Sequence, residues 1–156
     1  MKVSQVMNQK IIAVKRSTTL AELIRLFQSF HSFPLVPVVD QQGVLIGVVS
    51  FRRLIEAFRA SSQDILKAVP FVDESHMEIF DLDITPEIGE LCIVDDLMQT
   101  KFVTIGQDSS TEEAYRLMQV HQCEQLPVID AQDKLVGVIG VFDILLAIFR
   151  EKDVIK

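Results

Sequence analysis

Ninety residues separate two nearly interchangeable pieces of this chain. Leu35-Val36-Pro37-Val38-Val39-Asp40 recurs as Gln125-Leu126-Pro127-Val128-Ile129-Asp130. Val44-Leu45-Ile46-Gly47-Val48-Val49 recurs as Lys134-Leu135-Val136-Gly137-Val138-Ile139 at the same offset. Upstream, Val6-Met7 recurs as Leu97-Met98 at an offset of ninety-one, so the first copy holds one extra residue between its first helix and its Pro37 strand. A duplicated unit this short does not enclose a core alone, and the two copies are expected to share one.

Each copy reads as strand, helix, strand, strand, helix. Residues 11–14 and 102–105 are short apolar runs and the expected first strands. Leu20, Leu23, Ile24 and Phe27 recur at helical spacing, as do Ala114, Leu117, Met118 and His121, which puts His121 on a packed stripe. Thr19 with Glu22, and Ser110 with Glu113, form capping-box pairs at equivalent places. The turn-rich stretches 40–43 and 130–133 link the next two strands of each copy into hairpins. Last helices are expected over about residues 50–60 and 140–150. The expected fold class is α/β of the α+β kind, with two β-α-β-β-α repeats related by pseudo-symmetry. The expected divisions are 1–60 for the first repeat, 61–96 for an acidic linker and 97–156 for the second repeat. From Ala68 to Thr100 there is no Lys or Arg, but there are nine carboxylates. The expectation is a solvated linker that wraps the repeats.

Charge narrows the functional classes. The formal net charge is −7, and nucleic-acid binding draws on clustered Lys and Arg that neutralise phosphates. No nucleic-acid partner is expected. Cys92 and Cys123 lack paired spacing and read as free buried thiols in a reducing compartment. The stretch 1–10 is polar, unlike the apolar centre of a secretory signal. The stretch 135–149 is apolar but short for a bilayer span, and it contains Asp143. The expectation is a cytoplasmic protein with no membrane insertion. His31, His76 and His121 are scattered without metal spacing, and neither a catalytic triad nor a phosphate-cradling glycine loop is present in sequence. No enzyme, no metal and no obligatory cofactor are expected.

Two runs carry a family resemblance. One is Leu126-Pro127-Val128-Ile129-Asp130 with Gly137-Val138-Ile139-Gly140-Val141-Phe142-Asp143. The other is Val36-Pro37-Val38-Val39-Asp40 with Gly47-Val48-Val49-Ser50-Phe51-Arg52-Arg53. Together, duplicated at matching spacing, they resemble the CBS-domain family. The resemblance implies a module of two packed repeats with two related clefts. It implies an adenine nucleotide or adenosyl compound (AMP, ADP, ATP or S-adenosylmethionine) as regulatory ligand, with the base on apolar strand residues and the ribose diol on the Asp after the last strand. The candidate ligand contacts are Asp143, Gly140, Thr104, Ile105, Leu126 and Pro127 from copy two. From copy one they are Ala13, Val36, Pro37, Ser50 and Arg53.

An ionised carboxylate only accepts hydrogen bonds, and a cis-diol offers two donors side by side. Asp143 suits that task, and an acidic residue at a helix start is favoured by the helix dipole. Copy one carries Arg53 at the matching place, and a guanidinium accepts nothing. One competent site per chain is therefore expected. Some members place His or Arg just before the Leu-Pro strand, where phosphate lies; here Glu124 and Gln125, and Pro34 and Leu35, stand there. Arg52, Arg53 and Lys101 are the cations available to compensate. Ser50 reads first as a helix cap.

The last helix of copy two is apolar nearly all round, from Val141 and Phe142 to Ile148 and Phe149. A surface helix ordinarily keeps one polar face. A homodimer is expected, together with a regulated partner protein whose identity the resemblance does not give. The rival expectation is a ligand-free dimerisation or docking module.

Overall fold

The computed structural model describes residues 1–57 and 84–156. Much of the acidic stretch, with Asp73, Glu74, Glu78, Asp81, Asp83 and His76, lies outside the described residues. Helix α1 (Val3–Val6) leads into α2 (Leu20–Phe27), strands β1 (Val36–Val39) and β2 (Leu45–Val49), and the described helical residues 51–57, α3. After the described linker helix α4 (Pro86–Leu91), copy two follows with α5 (Val94–Leu97), β3 (Ile105–Gly106), α6 (Thr111–His121), β4 (Gln125–Ile129), β5 (Leu135–Gly140) and α7 (Val141–Glu151). The fold mixes helix and sheet, as the duplicated pattern predicts.

The local signals form as their chemistry dictates. Thr19 Oγ1 accepts from the Glu22 N–H while Glu22 accepts from the Thr19 N–H, closing the capping box of α2. Ser110 Oγ accepts from the Glu113 N–H at the start of α6. Both hairpins are antiparallel and share one turn design. Asp40 Oδ1 accepts from the N–H groups of Gln42 and Val44, at 2.8 and 2.9 Å. Asp130 Oδ1 accepts from Gln132 and Lys134, at 2.8 and 3.0 Å. The fourth turn residue is left-handed in each copy, at φ 82° for Gly43 and 60° for Asp133. Glycine takes that conformation freely and Asp is among the residues that tolerate it.

The two first strands are much shorter than expected. Residues 11–14 supply a single bridge, from Val14 to Val38, and 102–105 supply only the first residue of β3. Proline is the reason. The Pro37 carbonyl accepts from Val14 N–H, and Val39 N–H donates to the Val14 carbonyl, so residues 37 and 39 face this neighbour. Continuing the parallel ladder back toward Ile12 needs an N–H that Pro37 lacks. In copy two, pairing of β3 with β4 likewise starts at Val128, one residue past Pro127. Pro127 thus sits in the central strand of the order β3-β4-β5 at a level where that side has no ladder partner.

The cores are exchanged between copies. Val3 of α1 is fully buried beside Ile105, Met118, Leu126 and Ile139 of copy two. Val94, Leu97 and Met98 fill the core of copy one with Leu20, Leu23, Val36 and Val49. The end of the acidic stretch is therefore core structure and not solvated chain, because Val94, Leu97 and Met98 recur at helical spacing and pack on one face against copy one. Asn8 exchanges both backbone hydrogen bonds with Val138 of β5, at 2.8 and 3.0 Å, and Gln99 does so with Val48 of β2, at 2.8 and 3.0 Å. Two further readings change. His121 is exposed, since it falls at the solvent edge of α6. Cys92 and Cys123 are free but only half-buried.

Candidate functional site

The hairpins meet along a pseudo-two-fold axis, residue against equivalent residue. Leu45 N–H donates to the Asp133 carbonyl and Leu135 N–H to the Gly43 carbonyl, both at 3.1 Å. Val44 and Lys134 bridge between them. One contact breaks the symmetry. Leu35 N–H donates to Gln125 Oε1 at 3.0 Å, and the Leu35 side chain has nothing polar to return.

Beside that bond lies a cavity of about 150 Å³. Copy one lines it with Ile11, Ile12, Phe27, Phe30, Leu35 and Pro37, and copy two with Gln125 and Val138. Asn8, Lys10 and Pro34 complete the described lining. Its apolar walls come from both repeats because the ladder that Pro37 interrupts leaves residues 11 and 12 standing off β1. The pattern is that of a small-molecule site: mostly apolar, with a few polar groups.

Neither Asp143 nor Gly140 belongs to the described lining of this cavity. Asp143 Oδ2 accepts from the Gly140 N–H at 2.7 Å. A Cβ at Gly140 would lie 3.3 Å from that oxygen and 3.5 Å from Gln125 Cγ, so Gly140 stands between Asp143 and Gln125. Glycine has no side chain to cap α7, and the Asp143 carboxylate reaches back to do so. Among the described residues no hydrogen bond is made to its Oδ1. Copy one is built the other way round: Ser50 Oγ accepts from the Arg53 N–H at 3.1 Å, capping α3 as expected. Arg53 is half-buried, and its Nε is buried with no hydrogen-bond partner among the described residues.

The remaining candidates divide. Pro37 lines the cavity. Val36, Ile105 and Leu126 point into the two cores, where alternate strand residues must go. Pro127 is buried in β4, Thr104 is half-buried before β3, and Ala13 is exposed next to Ile12. Sequence reading missed Lys10, Ile12, Phe27 and Phe30 as lining. The offset of ninety-one that pairs Lys10 with Lys101 was the available signal.

Burial pushes both thiols above their ordinary pKa, and nearby Asp96 adds to the rise at Cys92. Both stay protonated near neutrality and are poor nucleophiles. Among the described residues no cluster of His, Cys, Asp and Glu is arranged to hold a metal, and no helix is long and apolar enough to cross a membrane.

The arrangement is matched among known proteins. CBSX2, a chloroplastic CBS domain-containing protein of Arabidopsis thaliana, is 28% identical over 148 residues, covering 92% of this chain and 61% of that one. Inosine-5'-monophosphate dehydrogenase of Methanocaldococcus jannaschii is 27% identical over 144 residues, covering 92% of this chain and 23% of the enzyme. The chain thus spans less than two thirds of the length of either. The crystal structure of CBSX2 in complex with AMP superposes with a TM-score of 0.70 at 24% identity, over 97% of this chain and 98% of that one. The cytosolic domain of the Mg2+ channel MgtE in complex with ATP superposes with a TM-score of 0.65 at 25% identity, over 94% of this chain and 48% of that one. The CBS domain family itself matches twice, at residues 3–60 and 94–150, which are the two halves of the duplication. The chain belongs to the CBS domain family and carries that domain as a pair.

Proposed function

We propose that this chain is a non-catalytic regulatory module that binds an adenosine compound in the cavity between its copies, with Asp143 holding the ribose diol. The observation that carries this reading is the apolar cavity lined by both repeats, with Gln125 on its wall and Gly140, which Asp143 caps, beside Gln125. The AMP complex of CBSX2 and the ATP complex of the MgtE domain support the ligand class. The free thiols of Cys92 and Cys123 suit a reducing cytoplasm.

A cavity of 150 Å³ is small beside the roughly 300–1,000 Å³ of typical ligand pockets. Ligand entry therefore displaces Gln125 from Leu35 and changes how the copies meet. A ligand that binds the opened form better shifts the population toward it, and a partner that senses that geometry is regulated.

The test is calorimetric titration with adenosine, AMP and ATP. One site per chain is expected, because Arg53 replaces the diol acceptor in copy one. Asp143→Asn keeps the shape but removes the charge, and a hydrogen bond to a charged group contributes roughly 1.5–3 kcal/mol, so affinity should fall by about one to two decades. A 2′-deoxy ligand should lose affinity for the parent but much less for the variant. Equal affinity of parent and variant would move the site elsewhere and favour a ligand-free docking module.

A further inference from the structure

We infer that the groove between α6 and α7 is a docking site for a short amphipathic helix of a partner protein, one with the apolar spacing of α4 but with a Lys or Arg where α4 has Gly89. The inference is independent of the adenosine reading, since the groove and the cavity have no lining residue in common.

Copy one shows what fills the matching place. The two lead-ins agree bond for bond. Leu20 N–H donates to the Cys92 carbonyl and Thr111 N–H to the Met1 carbonyl, at 2.8 and 3.0 Å. Val94 N–H donates to the Thr18 carbonyl and Val3 N–H to the Ser109 carbonyl, at 2.8 and 2.9 Å. Met1 therefore stands in copy two where Cys92, the residue that ends α4, stands in copy one. There α4 lies on α2. Its Ile88 and the adjoining Cys92 pack against the core of copy one, and a Cβ on Gly89 would lie 3.3 Å from Ala21 Cβ. Among the described residues no helix takes this place in copy two. A groove of about 490 Å³ lies there instead, with Met1, Thr111 and Tyr115 on one side and Ile144, Leu145 and Ile148 of α7 on the other. Apolar residues one helical turn apart, as at 88 and 92, are the usual anchors of a helix in such a groove.

Charge states what else the occupant carries. The charged residues of the lining are Glu112 and Glu151, and neither is in an ion pair among the described residues. Glu112 stands where copy one has Ala21, the residue that Gly89 meets. The matching residue of a docked helix thus meets a carboxylate. A hydrogen bond from its own backbone N–H, and then the nearby ammonium of Met1, hold the Glu112 carboxyl below its ordinary range. It is ionised at neutral pH, and a cation beside it is favoured. The α4 of a second copy carries Glu87 and Glu90 and would set carboxylates against carboxylates. Phe142 and Phe149 lie outside the groove and leave a separate apolar stripe for the pairing of two chains.

The experiment uses the whole chain and two labelled synthetic peptides, followed by fluorescence anisotropy. Both peptides span Ile84–Ile93 with Cys92→Val. One carries Glu87→Lys, Gly89→Lys and Glu90→Lys; the other keeps the natural acids and carries Gly89→Glu. The basic peptide should bind saturably with a Kd below about 1 mM, and the acidic one should not bind. Glu112→Gln combined with Glu151→Gln should weaken the basic peptide by about threefold to tenfold, the range for two exposed ion pairs, and added salt should do the same to the parent. Leu145→Gln, at an exposed position, should weaken it by about tenfold, because an apolar contact is lost with no change of charge. Circular dichroism checks that both variants fold, and light scattering should show that saturating peptide leaves the mass of the assembly unchanged. A basic peptide that does not bind, or that binds parent and both variants equally, overturns the inference. A peptide that halves the mass also overturns it, because the occupant of the groove is then a second copy of this chain.

Discussion

Gly47 and Gly137 hold the same place in the two copies, and each lies under a methionine from the other copy's lead-in. A Cβ on Gly137 would come 2.7 Å from Met7 Sδ and 3.0 Å from the Asn8 carbonyl; on Gly47 it would come 2.8 Å from Met98 Sδ and 3.1 Å from the Gln99 carbonyl. Here glycine is required by close approach and not by its backbone angles. The methionine sulfur can yield, but the carbonyl belongs to a hydrogen-bonded bridge and cannot. Gly137→Ala should destabilise the fold by about 1–3 kcal/mol, the usual range for overpacking. Adding Met7→Ala should recover only part of that loss. Urea denaturation of the three chains checks it, and a Gly137→Ala chain as stable as the parent would refute the packing argument.

Helix starts differ more than the duplication implies. Thr19 both accepts from Glu22 and, through Glu22, has its own N–H satisfied, whereas Ser110 accepts from the Glu113 N–H with no return bond from the Glu113 carboxylate among the described residues. Thr19→Ala should cost about 1 kcal/mol, at least as much as Ser110→Ala, since a lost N-cap typically costs that much. Denaturant midpoints of the two variants decide the order. The starts of α3 and α7 show the same division of labour by different residues. Ser50 caps with its own hydroxyl, while Gly140 relies on the Asp143 carboxylate. Helix capping in copy two therefore draws on the side chain proposed above for the ribose diol, and the Asp143→Asn substitution should spare the fold because one acceptor oxygen still faces Gly140.

At the scale of the molecule, the exchange of lead-ins makes the two copies one cooperative unit. Val3 is buried in the core of copy two, and Val94 and Leu97 in that of copy one. Neither core is complete within one copy, so heating should give a single transition whose calorimetric and van't Hoff enthalpies agree. Two resolved transitions would show that the copies fold apart. Deleting residues 1–8 should lower the midpoint, since it removes Val3 and bares the Val138 edge of β5. The outer surface makes a separate demand. Val141, Phe142, Leu145 and Phe149 of α7 are 37%, 68%, 42% and 40% exposed, beside a groove of about 490 Å³ shared with Thr111 and Tyr115 of α6. Closed two-fold pairing is the commonest way to cover such a face, and light scattering at tens of micromolar should return the mass of a dimer. A monomer mass would leave α7 for a different partner.

The sequence alone determined what is local or periodic. The duplication, both hairpins with their Asp-led turns, the caps at Thr19, Ser110 and Ser50, and the unequal pair Arg53 and Asp143 were all legible there. Each depends on residues within a few positions of one another, and the second copy repeats the signal. The tertiary structure alone decided what depends on residues far apart in the chain. It crossed the lead-ins, cut the first strands to a bridge where Pro37 and Pro127 have no N–H to offer, and set Gln125 against Leu35. It also brought Lys10, Ile12 and Phe30 to one cavity. None of these residues carries a local mark of its neighbours, because the contacts arise only when segments distant in the chain bury their apolar faces together.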